Sequence, residues 1–158
     1  MSFHTRPTAD GAFTISPWGA DGVATLEATG GDRRAVLEAG LQAILALVFP
    51  MSATLEDTTS TRSVPIRGEG DDLAALFADI ADEFLEQIAE FGMALHDVSV
   101  DGVLRGDRDG LVAWGYAIAT AAIGAGWAFA LTDPPVAIER ESAPIVLRAS
   151  LRREPSAG

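Results

Sequence analysis

The chain has 158 residues and a formal net charge of -12, from 23 acidic residues against 11 basic residues, every one of which is Arg. Its acidity repels nucleic acid at long range, and the absence of Cys excludes disulfides and thiolate metal sites. A chain of this length buries one core, which predicts a single domain over residues 13–152, between a flexible N-terminus at 1–12 and a flexible tail at 153–158. The N-terminus lacks the apolar stretch of a secretory signal, which predicts a cytoplasmic protein.

The first third of the chain predicts two strands and a helix. Residues 13–16 are typical of a short edge strand, and residues 23–28 of a second strand that a Gly pair closes. Asp32 is an N-cap for a helix that runs to about Val48. The apolar residues of this helix recur at helical spacing on one stripe: Leu37, Leu41, Ile44, Leu45 and Val48.

A further strand and helix follow a Thr/Ser-rich loop. Residues 61–68 alternate and predict an edge strand, because Pro65 cannot donate to a ladder. Residues 70–92 then form the most strongly patterned stretch of the chain, with Asp71 and Asp72 at the helix start and a Gly at its end. The opposite face of this helix is acidic, whereas its apolar stripe contains Leu73, Leu76, Phe77, Ile80, Phe84, Ile88 and Phe91.

The stretch from residue 111 to residue 131 has no charged residue and is long enough to span a bilayer. Large residues nevertheless alternate with small ones at a period of two, which is a strand signal, at Trp114, Tyr116 and Ile118 and again at Trp127, Phe129 and Leu131. We therefore predict two buried strands, 111–120 and 126–131, that pair through a turn near residues 122–126, rather than a membrane helix.

Further strands at 95–104, 136–140 and 144–151 complete the predicted order, in which a run of antiparallel strands follows the second helix. Two amphipathic helices packed on one mostly antiparallel sheet make a two-layer α+β domain. No internal repeat is evident in the sequence.

Classical catalysis lacks its usual residues in this chain. The only histidines are His4, in the predicted flexible terminus, and His96, at the start of a predicted strand, and no nucleophile-elbow Ser accompanies them. A phosphate loop of the GxxxxGK type needs a Lys, which the chain lacks. The sequence therefore predicts that the protein is not an enzyme and needs no cofactor. The acidic face of the second helix is typical of a solvated surface: Asp79, Asp82, Glu83 and Glu86.

Four segments occur in an order that resembles archease, a small family associated with RNA ligation. They are PWGAD at 17–21, the following GVATLEATGGDRRAVLEAGLQAILALV, the helix LAALFADIADEFLEQIAEFG, and PIVLRASL near the end. The resemblance covers about residues 13–152 and lies in the order of the elements. It implies the α+β fold predicted above, and a protein that helps an RNA ligase become guanylylated with a bound divalent metal.

The resemblance implies a metal site that this chain retains only in part. Family members open with His-Thr-Ala-Asp, whose Asp binds metal, and Trp18-Gly19-Ala20-Asp21 stands in that place here, so Asp21 is carried over. The Lys and the Thr-Tyr-His of the family have no counterpart, and Arg148 stands where a closing acid is expected. We therefore expect Asp21 to face Arg148, with an ion pair in place of a Mg²⁺, Mn²⁺ or Ca²⁺ site.

These observations predict an archease-like accessory or binding protein with a degraded metal site, whose partner is a protein, an RNA ligase by resemblance. One alternative is a functional archease that activates a tRNA-splicing RNA ligase with a divalent metal. Another alternative is a small-ligand binding module that uses the aromatic strand face of Trp114, Tyr116 and Trp127. Neither direct nucleic-acid binding nor a membrane location is expected, and the oligomeric state stays open.

Overall fold

The computed structural model describes residues 4–7, 11–48, 62–91, 93–106, 110–121, 127–140 and 143–155. Two helices and nine strands occur in these ranges, all the strand pairs are antiparallel, and the predicted α+β class is confirmed. The elements are β1 (His4–Pro7), β2 (Gly11–Ile15), β3 (Val23–Gly30), α1 (Arg33–Val48), β4 (Arg62–Gly70), α2 (Leu73–Phe91), β5 (Met93–Arg105), β6 (Leu111–Ala121), β7 (Trp127–Leu131), β8 (Val136–Arg140) and β9 (Ala143–Pro155).

The strands form two sheets, where a single sheet was predicted. The larger sheet has the order β1-β2-β3-β9-β7, and β8 pairs with β9 on the same edge as β7; the smaller sheet has the order β4-β6-β5. The predicted pairing of β6 with β7 is therefore wrong, because β6 lies between β4 and β5 whereas β7 pairs with β9. Alternation with a period of two identifies a strand, but it carries no information about the partner strand.

Both ends of the chain contribute more strand than was predicted. β1 (His4–Pro7) lies in the segment that was expected to be flexible, and it pairs with β2. β9 continues to Pro155, because its last residues pair with β7. Backbone pairing stabilises these polar segments, although their side chains give little strand signal in the sequence.

The helices pack against both sheets. α1 contacts β2, β3 and β9 of the larger sheet and β5 of the smaller one, whereas α2 contacts β4, β5 and β6 as well as β7 and β8. The predicted apolar stripe of α2 is buried wherever its side chains are described. The core between helices and sheets includes Leu37, Leu41, Ile44, Phe77, Ile80, Phe84, Leu147 and Leu151. No helix in the described ranges is long and apolar enough to cross a membrane.

The two helices begin with the same junction, repeated at a distance of 40 residues. Asp32 Oδ1 accepts a hydrogen bond from Ala35 N, and Asp72 Oδ1 accepts one from Ala75 N, each at 2.8 Å, so the predicted Asp32 cap is confirmed. Two residues before each Asp, a Gly closes the preceding strand, and a Cβ there would collide with the first turn of the helix. The short pattern Gly-x-Asp-x-x-Ala thus encodes both strand-to-helix turns.

Polar side chains of α1 close one edge of the smaller sheet. Gln42 Nε2 donates to Val98 O at 2.8 Å, Arg34 Nη1 donates to Val100 O at 3.1 Å, and Glu38 Oε1 accepts from Val100 N at 2.9 Å. These three side chains are spaced four residues apart and so share one face of the helix. They satisfy backbone groups of β5 that none of the nine described strands pairs with, so the smaller sheet is held with its inner side on the helices and its outer side towards solvent.

Candidate functional site

Asp21 stabilises a tight turn between β2 and β3. Its Oδ1 accepts a hydrogen bond from Val23 N at 3.1 Å, and Gly19 N donates to Val23 O at 2.9 Å. Gly22 has φ 77°, a left-handed conformation that favours Gly. The carboxylate that the resemblance assigns to a metal therefore caps its own loop, as Asp commonly does in turns.

Arg148 does not meet Asp21, so the predicted ion pair between them is wrong. In the antiparallel register Val23 lies opposite Arg152, and Arg148 lies opposite Glu27. Arg148 Nε donates to Glu27 Oε2 at 2.7 Å. Four residues of extended strand span about 13 Å, so the strand pairing itself separates Arg148 from the Asp21 turn.

Trp18 fastens the same loop to the core. Its Nε1 donates to Leu47 O at 3.2 Å, its ring centroid lies 5.8 Å from that of Phe129, and the guanidinium of Arg153 lies 4.8 Å above the ring. Arg153 of β9 thus brings a positive charge close to the Asp21 turn. Within the described residues, no three acidic or His side chains form a metal-binding group. This arrangement does not fit a divalent metal.

The outer side of the smaller sheet presents large side chains to solvent. On β6, Trp114 and Tyr116 are 39% and 41% exposed, whereas the residues that alternate with them towards the helices are small or aliphatic and buried: Leu111, Ala113, Ala117 and Ala119. The aromatic residues were expected on buried strands, yet the small residues face inward. Helix α2 packs closely beneath this sheet, so that a Cβ on Gly68 of β4 would collide with the side chain of Ile80.

We call the outward surface of the smaller sheet the β6 face; it comprises Val112, Trp114, Tyr116 and Ile118 of β6, with Pro65, Arg67 and Glu69 of β4 and Leu104 of β5. Leu104 is 63% exposed and lies opposite Val112. Arg67 and Gly102 flank Trp114 in one cross-strand row. These residues make a patch of apolar side chains on the solvent side of a sheet, which is an informative exception to the usual burial of such residues.

Trp127 does not join this face through its strand. It begins β7, which belongs to the larger sheet, so the predicted face of Trp114, Tyr116 and Trp127 is not built by one pair of strands. The side chain of Trp127 lies outside the described residues.

The surroundings of the β6 face are acidic. Glu69 and Asp97 occupy the face side of β4 and β5, and Asp101 is the extra residue of a β-bulge in β5. Asp79 of α2 accepts a hydrogen bond from Glu69 N at 2.9 Å, which places the acidic side of α2 along the β4 edge. Burial and the repulsion of Asp79 raise the pKa of Asp82.

A second feature is an open cleft of ≈ 630 Å³ on the solvent side of the larger sheet. The Arg148–Glu27 pair lies in its floor, and Asp133, from the connection between β7 and β8, lines its wall. Hydroxyl side chains of three neighbouring strands also line the cleft: Thr14, Thr25 and Ser150. This cleft was not predicted from the sequence, because its three strands come from opposite ends of the chain.

Comparisons with known proteins identify a similar fold. No protein-family model matches the chain, and no curated protein matches it. Among solved structures, the solution structure of Methanobacterium thermoautotrophicum protein 1598 is similar to this one, with a TM-score of 0.60 and 20% sequence identity over 89% of this chain and 97% of that chain. The chain therefore shares its α+β fold with that protein over nearly the whole length of both.

Proposed function

We propose that this protein is a non-catalytic accessory protein of the archease type, which binds a protein partner through the β6 face. The observation that carries the proposal is the reversed distribution of size across β6, with Trp114 and Tyr116 outward and Ala113 and Ala117 inward. Folding alone would favour burial of the aromatic rings, which bring the largest apolar area to a core. Exposed aromatic patches of this kind are typical of protein interfaces.

The shape of the β6 face supports a macromolecular partner rather than a small ligand. Small-molecule sites are concave and enclose most of the ligand, whereas the β6 face is the open surface of a three-stranded sheet. Two further observations support an accessory role without metal chemistry. Asp21 Oδ1 is engaged by its own loop, and Arg148 is held by Glu27.

Site-specific crosslinking followed by reconstitution tests the proposal. A photoreactive phenylalanine analogue replaces Tyr116 in one variant and Thr25, which is exposed on the larger sheet, in the control variant. We expect an adduct of defined mass at position 116 and not at position 25. The crosslinked protein, once identified and purified, should form a complex with the wild-type chain that the double variant Trp114→Ser/Tyr116→Ser does not form. Equal binding by the double variant would contradict the proposal.

An RNA ligase from the same organism is the first partner to test, because the resemblance implies one. We expect no acceleration of its guanylylation by this protein, because Asp21 caps its own turn and the chain has no Lys. Clear acceleration that requires Asp21 would instead support the functional-archease alternative.

A further inference from the structure

We infer, on the basis of the proposed function, that the occupant of the β6 face is a basic, extended polypeptide segment whose Arg or Lys side chains stack on Trp114 and Tyr116. The β6 face is the outer side of the smaller sheet, and its central strand, β6, carries the two half-exposed rings. The charge of the chain, the chemistry of the two rings and their spacing each favour this occupant.

The negative net charge of the chain disfavours acidic or anionic partners at the β6 face. The chain carries a net charge of -12, so a second copy of itself, a nucleic acid and an anionic membrane surface are all repelled. Among the described residues, the register places the carboxylates of Glu69 and Asp97 and the guanidinium of Arg67 on the face. Asp101 lies in the β5 bulge and Asp79 of α2 at the β4 edge, whereas Arg62 and Arg105 lie at the ends of their strands. A cationic partner is therefore both attracted at a distance and matched at the rim of the face.

Ring chemistry favours the same partner. The faces of Trp and Tyr rings carry partial negative charge and attract the guanidinium and ammonium groups of Arg and Lys. Trp114 lies against Gly102, where the absence of a side chain lets the indole lie close to β5. The protein already uses this type of contact internally, since the Arg153 guanidinium lies 4.8 Å above the ring of Trp18.

Spacing indicates the form of the segment. Trp114 and Tyr116 are separated by two residues on one strand, or about 6.6 Å, which equals the spacing of alternate side chains in an extended peptide. From Val112 to Ile118 the face extends about 20 Å, the length of about six extended residues. We therefore expect a segment in which cationic residues alternate with small ones.

The test uses a fluorescein-labelled dodecapeptide of alternating Arg and Ser, with fluorescence anisotropy as the readout at physiological ionic strength. Wild-type protein should bind it, and Trp114→Ser/Tyr116→Ser should weaken the affinity about tenfold, the effect of two cation–π contacts. The same peptide with citrulline in place of Arg keeps the shape and removes the charge, and it should not bind measurably.

Two charge-matched variants separate the β6 face from general acidity. Glu69→Gln/Asp101→Asn removes two carboxylates beside the face, and Asp82→Asn/Glu83→Gln removes two from α2. We expect the first variant to weaken binding about threefold and the second to weaken it less. Thermal unfolding of every variant is the control that checks whether each one is folded.

The outcomes are distinct from those of the crosslinking experiment. Equal binding by all variants would mean general electrostatic attraction and would overturn the inference. If the citrulline peptide bound as strongly as the Arg peptide, or if the Arg peptide did not bind at all, the inference of a cationic partner would be wrong. The proposed function would still be tested separately, by crosslinking at position 116 and by reconstitution.

Discussion

Trp114 on β6 and Gly102 on β5 pack against each other so closely that a Cβ on Gly102 would lie 2.5 Å from Cζ2 and 2.7 Å from Cη2 of the indole. The two residues are direct partners in the antiparallel register. The position of the most prominent ring on the β6 face therefore depends on one missing side chain in the neighbouring strand.

Gly102→Ala should move the indole away from β5. We expect a change in the Trp114 emission and a loss of about 1 to 3 kcal/mol of unfolding free energy if the ring cannot yield, with a smaller loss if it rotates into solvent. Gly31→Ala is a suitable control, because a Cβ there has no atom within 4 Å. Denaturant unfolding followed by fluorescence measures both quantities, and identical emission and stability in Gly102→Ala and wild type would contradict the packing described.

Divalent metals should leave the stability of this protein unchanged. A ligand at a hundredfold its dissociation constant adds about 2.7 kcal/mol to the unfolding free energy, which raises the melting temperature by several degrees. We expect no such shift with millimolar Mg²⁺, Mn²⁺ or Ca²⁺, since Asp21 caps its own turn. Asp21→Ala should cost about 1 kcal/mol through loss of the hydrogen bond to Val23 N. A large metal-induced shift that Asp21→Ala abolishes would show an intact metal site.

Several features of the fold follow directly from local sequence pattern. Helices begin where Asp32 and Asp72 cap them, and the edge position of β4 follows from Pro65, which lacks an N–H. Glu69 N, four residues after Pro65, bonds to α2 rather than to β6, so the N of Pro65 also lies on the outer edge. These features are local, because each depends on the chemistry of one or two residues.

The stability of the protein should increase as the pH falls from neutral towards the ordinary pKa range of carboxyl groups, in part through Asp82 and Glu83. Burial and neighbouring carboxylates raise the pKa of both groups. A raised pKa means that the folded protein binds these protons more tightly than the unfolded chain, so protonation favours folding. Asp82→Asn/Glu83→Gln should therefore stabilise the protein at about pH 7 and reduce the gain in stability that wild type shows as the pH falls towards about 4.

Urea unfolding at several pH values checks this dependence. The charge-matched Glu69→Gln/Asp101→Asn variant measures the effect of net charge alone. A wild-type protein whose stability falls over this range, with Asp82→Asn/Glu83→Gln following the same course, would contradict the assignment.

Glu38 should be more important for stability than its polar character indicates. The residue is 7% exposed, and its Oε1 accepts a hydrogen bond from Val100 N at 2.9 Å and lies 3.5 Å from Arg34 Nη1. Glu38→Leu leaves the Val100 N–H without this acceptor and should cost about 1 to 3 kcal/mol, whereas Glu38→Gln retains an acceptor oxygen and should cost less. Equal stability of Glu38→Leu and wild type in denaturant unfolding would show that the β5 edge is satisfied in another way.

The β6 face could not be predicted from local pattern, for a physical reason. Alternation of Trp114 and Tyr116 with small residues identifies a strand, but either side of a strand can face the core. The usual preference for buried aromatic residues points the wrong way here, because α2 packs so closely on the smaller sheet that a Cβ on Gly68 would collide with Ile80, and the buried positions of β6 are small residues such as Ala113 and Ala117. The separation of Asp21 from Arg148 is likewise a matter of register between distant strands, which composition does not reveal.

Binding of the reconstituted partner to wild-type protein and to Trp114→Ser/Tyr116→Ser, with thermal unfolding measured on the same samples, decides whether the β6 face is the binding surface. Both side chains are half-exposed and contribute little to the core, so the melting temperature should change little. We expect a folded double variant that no longer binds the partner. A double variant that binds the partner as tightly as wild type does would contradict this expectation.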